Sequence, residues 1–336
     1  MEFGSDYHTI EYPVGSGLPY RIFSHYVSGR QPLLDVIRTT GYRRIWIPCY
    51  YCGESLKILD RSAVEICRYA CLPSSDIHKS VERLPLAPDD LLLLVNYFGL
   101  HGFNDARLYP CDVIEDHTHD LIGEWAKNST ARWCFASVRK TLPTADGGIL
   151  WSPRNESLPQ QPGMTAEVEE IVSCRYKAMG AKAEYLKNHS ADKDAFLHDF
   201  RETEERFGSF GISDCLTSTN GIIHSIDLTA WYGKKKANYT KLLSLLSLRH
   251  SKALMGSSIN YTPFSLILLF NNNELRDNAR NFLIHNKVYP AILWPDVYER
   301  DENAVDFSKR MLSIHCDGRY DESDMTILAE ILNRVI

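Results

Sequence analysis

Residues 113–120 read VIEDHTHD, and residues 135–150 read FASVRKTLPTADGGIL. The first segment is a short apolar strand that ends in Glu115 and Asp116. The second is another apolar run, which ends at Lys140 and is followed by a polar, glycine-rich turn. The pattern predicts two neighbouring buried strands, with an acid at the end of one and a lysine just beyond the other.

Together, these two strand ends could hold the cofactor pyridoxal phosphate (PLP). A carboxylate at Asp116 would keep the pyridine nitrogen protonated, and the amine of Lys140 would form the Schiff base. The alternative is a pair of buried strands with ordinary charges exposed at their ends. The spacing by itself leaves both interpretations open.

The ordered motifs of this chain resemble those of the DegT/DnrJ/EryC1/StrS family of fold-type-I PLP enzymes, best known as sugar aminotransferases. That family has a strand ending in E-D-x-x-[QH], a segment ending in a lysine, and a loop closing on D/E-G-G. The corresponding positions here are residues 115–119, Lys140 and residues 146–148. Further matching segments follow the family's order at residues 28–30, 47–51, 96–99, 235–239 and 288–295. The resemblance therefore spans most of the chain.

The resemblance implies an α/β fold, that of a fold-type-I PLP-dependent transferase, with a mainly parallel seven-stranded sheet and a small C-terminal α+β domain. Alternating strand and helix signals agree with it. We place the large PLP-binding domain at residues 1–228 and the small domain at residues 229–336. Strands are predicted at residues 44–48, 64–70, 91–96, 109–114, 132–137, 148–152, 264–270, 288–293 and 311–315. Helices are predicted at residues 31–40, 53–61, 228–248, 273–286 and 321–335, with a charged helical stretch of no catalytic spacing at 165–206.

Catalytic roles follow from the resemblance. Lys140 would carry the cofactor and shuttle a proton, and Asp116 would pair with the pyridinium nitrogen, a role for which Glu115 is the competing acid. His119 is expected near the phenolic oxygen of the cofactor, although a lone histidine can equally be a hydrogen-bonded structural residue. We expect the neighbouring Arg139 to point away from the site.

The phosphate group is expected at the start of the first helix, at Ser28, Gly29, Arg30 and Gln31. A helix N-terminus offers free N–H groups and the positive end of the helix dipole to an anion. Glycine permits close approach, and Arg30 could add a charged donor. As a bare motif the segment is weak evidence, because many helices begin with Ser-Gly.

Two positions depart from the family pattern around the cofactor. The usual phosphate-binding serine is replaced by Phe135, and Ser137 is the candidate substitute. An aromatic ring should stack on the cofactor, and Tyr50 and Tyr51 are the candidates, although a direct count places Cys52 at that position.

A third departure concerns the subunit interface. The family has an asparagine in a G-x-N-x-R segment that reaches the cofactor of the neighbouring subunit, and our alignment places Ser209 there. Because the family builds each site from two subunits, the resemblance implies a homodimer.

The function implied by the resemblance is transamination, in which glutamate donates an amino group to a keto group on a nucleotide-linked sugar or related metabolite. One alternative is another PLP reaction, such as dehydration or decarboxylation, on the same scaffold. Another is a homologue that has lost the chemistry and acts as a binding or regulatory partner. Retention of Lys140 and Asp116 argues for an enzyme.

Composition sets the wider limits. The chain has 336 residues, a net charge of −6 and a pI near 6.1. These values argue against nucleic acid or a membrane surface as a partner. The longest apolar stretch is too short to span a bilayer, so we expect a soluble, cytoplasmic protein.

The cysteines provide a separate test for a metal. Cys49 and Cys52, followed by Cys67 and Cys71, approach the spacing of a structural zinc site. Both pairs also lie at the ends of predicted strands, where small thiols pack well and stay reduced in the cytosol. We therefore predict neither a metal nor a disulfide.

Overall fold

The computed structural model describes residues 2–256 and 261–336. Strands occur along most of the chain. In order they are β1 (Phe3–Gly4), β2 (Phe23–Tyr26), β3 (Arg44–Pro48), β4 (Glu65–Tyr69), β5 (Asp90–Val95), β6 (Asp112–Asp116), β7 (Trp133–Ser137), β8 (Gly148–Trp151), β9 (Ser251–Ala253), β10 (Leu266–Phe270), β11 (Val288–Tyr289) and β12 (Met311–Ile314).

Helices lie between many of these strands, and four of them follow one another between β8 and β9. In order they are α1 (Gln31–Thr40), α2 (Gly53–Leu56), α3 (Ile77–Val81), α4 (Glu124–Asn128), α5 (Ala166–Asn188), α6 (Lys193–Phe207), α7 (Thr217–Ser225), α8 (Leu228–Leu245), α9 (Asn273–His285), α10 (Glu302–Arg310) and α11 (Glu322–Leu332). None of these described helices combines the length and apolar character needed to cross a bilayer.

Seven strands form one sheet in the order β2-β8-β7-β6-β5-β3-β4. The five strands from β7 to β4 pair in parallel, whereas β8 and β2 are antiparallel to their neighbours. The predicted mainly parallel seven-stranded sheet is thus confirmed. Every residue of β5 (DLLLLV) and β7 (WCFAS) is buried, as expected for parallel strands covered on both faces.

A three-stranded antiparallel sheet, β12-β10-β9, follows later in the chain. The strand predicted at 288–293 is shorter than expected. Val288 and Tyr289 pair with β1, Pro290 follows with no N–H to donate, and Ala291 forms only an isolated bridge with Ser313. Helices α7 and α10 and strand β2 were not predicted. The division at residue 228 stays a prediction.

The sheet topology brings distant segments to one edge. Since β6 and β7 are parallel and Asp116 is in register with Phe135, their carboxyl ends lie side by side. Strand β2 ends just before Ser28 and Gly29, and this turn lies against β7. A Cβ atom built on Gly29 would come within 2.4 Å of Ser137 Cβ, so only glycine permits this approach.

Candidate active site

A cavity of about 470 Å³ lies at this edge of the sheet. It collects residues that are separated by more than a hundred positions in sequence. All the predicted site residues except Gln31 line it, namely Ser28, Gly29, Arg30, Tyr51, Cys52, Asp116, His119, Ser137 and Lys140.

Gln31 has a structural contact instead. Its side-chain amide donates to the carbonyl of Gly211 at 2.6 Å, and its Oε1 accepts from the N–H of Ser213 at 3.1 Å. The side chain is fully buried and ties the start of α1 to the segment after α6. The side chain is therefore used for this contact, and a role of Gln31 in phosphate binding stays a prediction.

Lys140 ends a single 3₁₀ turn, Val138–Lys140, directly after β7. The positive charge of Arg139 is the main cause that lowers the pKa of Lys140 to about 8, and withdrawal from bulk water is the second. The side chain keeps accessible surface because it faces the cavity. A far larger fraction of its amine is therefore unprotonated near neutral pH than for an ordinary lysine.

Arg139 does not point away from the site, contrary to the expectation from sequence. Its guanidinium lines the cavity and forms a bidentate ion pair with Glu204 of α6, at 2.9 and 2.7 Å. Glu204 also lines the cavity. Sequence reasoning missed it because its partner lies 65 positions earlier in the chain and no local spacing marks the pair.

Asp116 is held in place by two hydrogen bonds. Its carboxylate accepts from the N–H of Thr118 at 2.8 Å and from the hydroxyl of Tyr51 at 2.7 Å. Burial raises its pKa, and these bonds act in the opposite direction. Because side chains alternate along a strand, Glu115 faces the other side of the sheet, where it contacts His117. Of the two acids, Asp116 is the one on the cavity.

His119 is a neutral ring in this site. Burial, with the charge of Lys140 as the second cause, lowers its pKa to about 3. Its Nδ1 accepts from the N–H of Phe98 at 3.1 Å, so the ring carries its proton on Nε2. The ring stacks on Trp294, with centroids 5.6 Å apart and an angle of 15° between the planes.

Aromatic side chains line part of the cavity, and Tyr51, one of the two predicted stacking candidates, is among them. Tyr51 uses its hydroxyl to hold Asp116, and Tyr50 is buried beside Tyr97 and does not line the cavity. Trp294, which belongs to the late matching segment, lines it. The sequence contained that signal, but nothing local connected residue 294 with residue 119.

The proposed phosphate end has unsatisfied donors. The hydroxyl of Ser28 is buried and has no hydrogen-bond partner within residues 2–256 and 261–336. Arg30 donates to the carbonyl of Glu54 at 3.3 Å, and α1 has no side-chain cap. Ser137 donates its N–H to Thr118 at 3.0 Å, and Phe135 lines the cavity beside it.

Ser209, the residue predicted to reach a second subunit, does not line the cavity. Ser209 is exposed on the turn after α6, where its carbonyl accepts from Arg61 at 2.9 Å. Its contact with a second subunit stays a prediction.

All nine cysteines are free. One buried group with possible metal ligands, Glu115, His117 and Cys134, has its ligand atoms within 4.8 Å of one another, and its distances are those of hydrogen bonds.

A second chamber of about 510 Å³ adjoins the first. Arg139, Lys140, Phe264 and Leu293 line both cavities. Helix α5 contributes two buried cations to the new chamber, Arg175 and Lys182. The sequence indicated only a charged helix here, because the chamber forms when α5 packs beside the lysine turn.

No protein-family model and no curated protein sequence matches the chain. Its fold nevertheless matches solved structures. One of them is Spr1654 of Streptococcus pneumoniae, which is named a sugar aminotransferase and was solved in a PLP form and in a PMP (pyridoxamine phosphate) form. It is 10% identical to this chain with a TM-score of 0.65, and the match covers 100% of this chain and 98% of that one. The chain has the fold of PLP-dependent aminotransferases.

Two other solved structures agree with this. Helicobacter pylori PseC, an aminotransferase involved in the biosynthesis of pseudoaminic acid, is 13% identical with a TM-score of 0.65, over 100% of this chain and 99% of that one. A DegT DnrJ EryC1 StrS aminotransferase from Brucella abortus is 12% identical with a TM-score of 0.60, and the match covers 94% of this chain and 86% of that one. At such identities the likeness establishes the fold.

Proposed function

We propose that the chain is a PLP-dependent aminotransferase. It transfers an amino group from glutamate to a keto group on a nucleotide-linked sugar or related metabolite. The observation that carries the proposal is the convergence of Lys140, Asp116 and the start of α1 on one cavity. The fold supports it, because it is shared with solved aminotransferases.

The residues of the cavity fit PLP at each of its functional groups. The partnerless hydroxyl of Ser28 and the guanidinium of Arg30 suit the phosphate. The carboxylate of Asp116 suits the ring nitrogen, and Nε2–H of His119 suits the phenolic oxygen. Lys140 is the nucleophile for the aldehyde.

When bound, PLP supplies an electron sink for the carbanion that forms as the Cα–H bond of the amino donor breaks. The protein contributes position and protonation state. Lys140, with its pKa of about 8, can accept a proton from the substrate Cα and release it again near neutral pH. Thr118 and Tyr51 fix the orientation of the Asp116 carboxylate. Phe135 and Trp294 line the cavity with apolar surface that excludes water.

We propose in addition that the protein is a cytoplasmic homodimer with a large domain at residues 1–228 and a small domain at residues 229–336. The family resemblance supports the dimer, and the separate three-stranded sheet supports the second domain. Sedimentation of the purified protein tests the dimer, which a monomer at all concentrations would contradict.

The direct test is an absorbance spectrum with and without glutamate. Protein loaded with PLP should absorb near the violet edge of the visible range, and glutamate should remove this band by forming the pyridoxamine. Uptake of PLP without a response to glutamate would favour another PLP reaction, and a protein that stays colourless would favour a binding role.

Lys140→Ala should abolish covalent attachment of the cofactor, because no other amine occupies its position. Borohydride reduction followed by peptide mass spectrometry locates the attachment. The adduct should be on Lys140 and absent from Lys182 and Lys235, two lysines that are buried. An adduct on either of these would refute the assignment.

A further inference from the structure

We propose that the second chamber, which adjoins Lys140, binds an anionic group of the substrate through Lys182 and Arg175, and that Asp6 competes with this group as an internal anion. The inference rests on the proposed function for the identity of the substrate. The position of the proposed anion site follows from the residues that line the chamber.

Basic side chains outnumber acidic ones on the otherwise largely apolar lining of the chamber. Arg175 and Lys182 are seven residues apart on α5, which places both on one face of the helix. Opposite them lie basic residues from other elements. The basic side chains on the lining are Arg139, Lys140, Arg175, Lys182, Lys193 and Arg319, and the acidic ones are Glu2 and Asp6.

Most of these cations have a carboxylate partner. Arg139 pairs with Glu204, and Arg319 pairs with Asp317 at 2.9 Å. Lys182 differs, since no carboxylate lies within ion-pair distance of its Nζ in the described part of the chain, and that atom donates to the carbonyl of Asp6. The side chain is only 4% exposed. A buried ammonium group with a neutral partner provides a favourable position for an anion.

The N-terminal segment occupies the position where such an anion would bind. The carboxylate of Asp6 accepts from Arg175 at 2.7 Å. Arg319 donates to three successive carbonyls, those of Gly4 at 3.3 Å, Ser5 at 3.1 Å and Asp6 at 3.1 Å. Removing the charge of Asp6 should therefore free positive potential for an external anion.

The shape of the chamber also fits a substrate group. Its volume of about 510 Å³ lies within the range of ligand sites, and it opens directly on Lys140. Two parts of the proposed substrates are anionic, the diphosphate of a nucleotide-linked sugar and the distal carboxylate of the amino donor. Pyrophosphate and glutarate reproduce these groups without taking part in transamination.

The test is calorimetric titration of each anion, separately, into protein incubated with PLP. Lys182→Gln should weaken the binding of the preferred anion by about ten-fold, the effect of one charge-assisted hydrogen bond. Asp6→Asn should strengthen it several-fold. Lys187→Gln, an exposed lysine on the same helix, should leave it unchanged.

Equal affinities in all four proteins, or no binding of either anion, would overturn the proposal. A gain of affinity in Asp6→Asn cannot come from damage to the fold. This variant therefore distinguishes competition by the Asp6 carboxylate for the anion site from a general loss of protein stability. The preferred anion identifies which substrate group the chamber takes. Cofactor uptake is read by absorbance on the same preparations, so anion binding that depends on Lys182 without cofactor uptake would refute the proposed function alone.

Discussion

At the scale of single residues, the charge of Arg139 is the main influence on the pKa of the adjacent Lys140. Arg139 lowers the pKa of Lys140, and Glu204 partly offsets this effect because its negative charge raises the same pKa. Arg139 in turn holds the pKa of Glu204 well below its usual range. The three groups therefore set one another's protonation.

The rate of covalent cofactor attachment should depend on pH through Lys140. Only the unprotonated amine attacks the aldehyde, so the rate should rise with pH and level off above about pH 8. Arg139→Gln should move this midpoint upward, because a positive charge is removed. Glu204→Gln should move it downward, because a negative charge is removed. Stopped-flow absorbance measures the rates.

Opposite shifts in these two variants separate electrostatics from general damage, which would slow both reactions without moving the midpoints. Arg201→Gln, an exposed arginine on α6, is the control. If the pH midpoint of the attachment rate in both variants equalled that of the wild type, the Arg139–Glu204 pair would have no role in setting the pKa of Lys140.

Asp116→Asn should leave cofactor attachment largely intact and slow turnover by two to four orders of magnitude, about 3–5 kcal/mol, because the ring nitrogen loses its anionic partner. Single-turnover kinetics with glutamate measure the loss. Asp112→Asn is the control, since Asp112 lies at the other end of the same strand and pairs with Arg132. Turnover near the wild-type rate in Asp116→Asn would contradict the role.

At the scale of elements, the turn before α1 is our proposed substitute for a phosphate donor. The family resemblance places Phe135 where a phosphate-binding serine is expected, so the proposed function assigns the phosphate to the turn between β2 and α1. That turn lies against β7 because Gly29 has no side chain. The position of one glycine thus determines the position of Ser28 and Arg30.

Arg30→Ala should weaken PLP binding by about 1.5–3 kcal/mol, the range for a charge-assisted hydrogen bond. Ser137→Ala should cost less, because it removes a neutral hydroxyl rather than a charged donor. Absorbance titration gives the dissociation constants, and Arg38→Ala on the same helix is the control. Normal cofactor affinity with impaired substrate binding in Arg30→Ala would assign this arginine to the substrate instead.

At the scale of the whole molecule, the late part of the chain completes the site. Phe264 and Trp294 come from segments more than a hundred residues after Lys140, and both pack on His119, Phe264 with a centroid distance of 4.3 Å. The wall between the two cavities is therefore built by both halves of the chain.

Phe264→Ala should weaken cofactor binding and change its absorbance, because His119 loses a packing partner and water gains access to the site. Phe264 is half-buried, so the fold should survive the change. Titration with PLP and a thermal melt provide the two measurements. Phe103→Ala, at an exposed phenylalanine, should change neither. Unaltered cofactor affinity in Phe264→Ala would contradict a role of Phe264 in holding the cofactor.

The sequence by itself predicted most strands of the large sheet and the charged residues that follow two of them. Strands β3, β5, β6 and β7 and helix α1 are marked by local periodicity, which acts over a few residues and can be read without tertiary contacts. Lys140 and the acids Glu115 and Asp116 lie at the ends of these strands, and the family resemblance alone favoured Asp116 over Glu115. The ordered motifs then indicated the cofactor.

Only the tertiary structure decided the electrostatics and the walls of the site. Arg139 pairs with Glu204, Trp294 covers His119, and Lys182 faces the turn of Lys140, all through packing between segments far apart in sequence. Such contacts leave no periodic signal, because each depends on how two complete elements pack together. For the same reason the local pattern could not place the side chain of Gln31, which bonds to a segment 180 residues away.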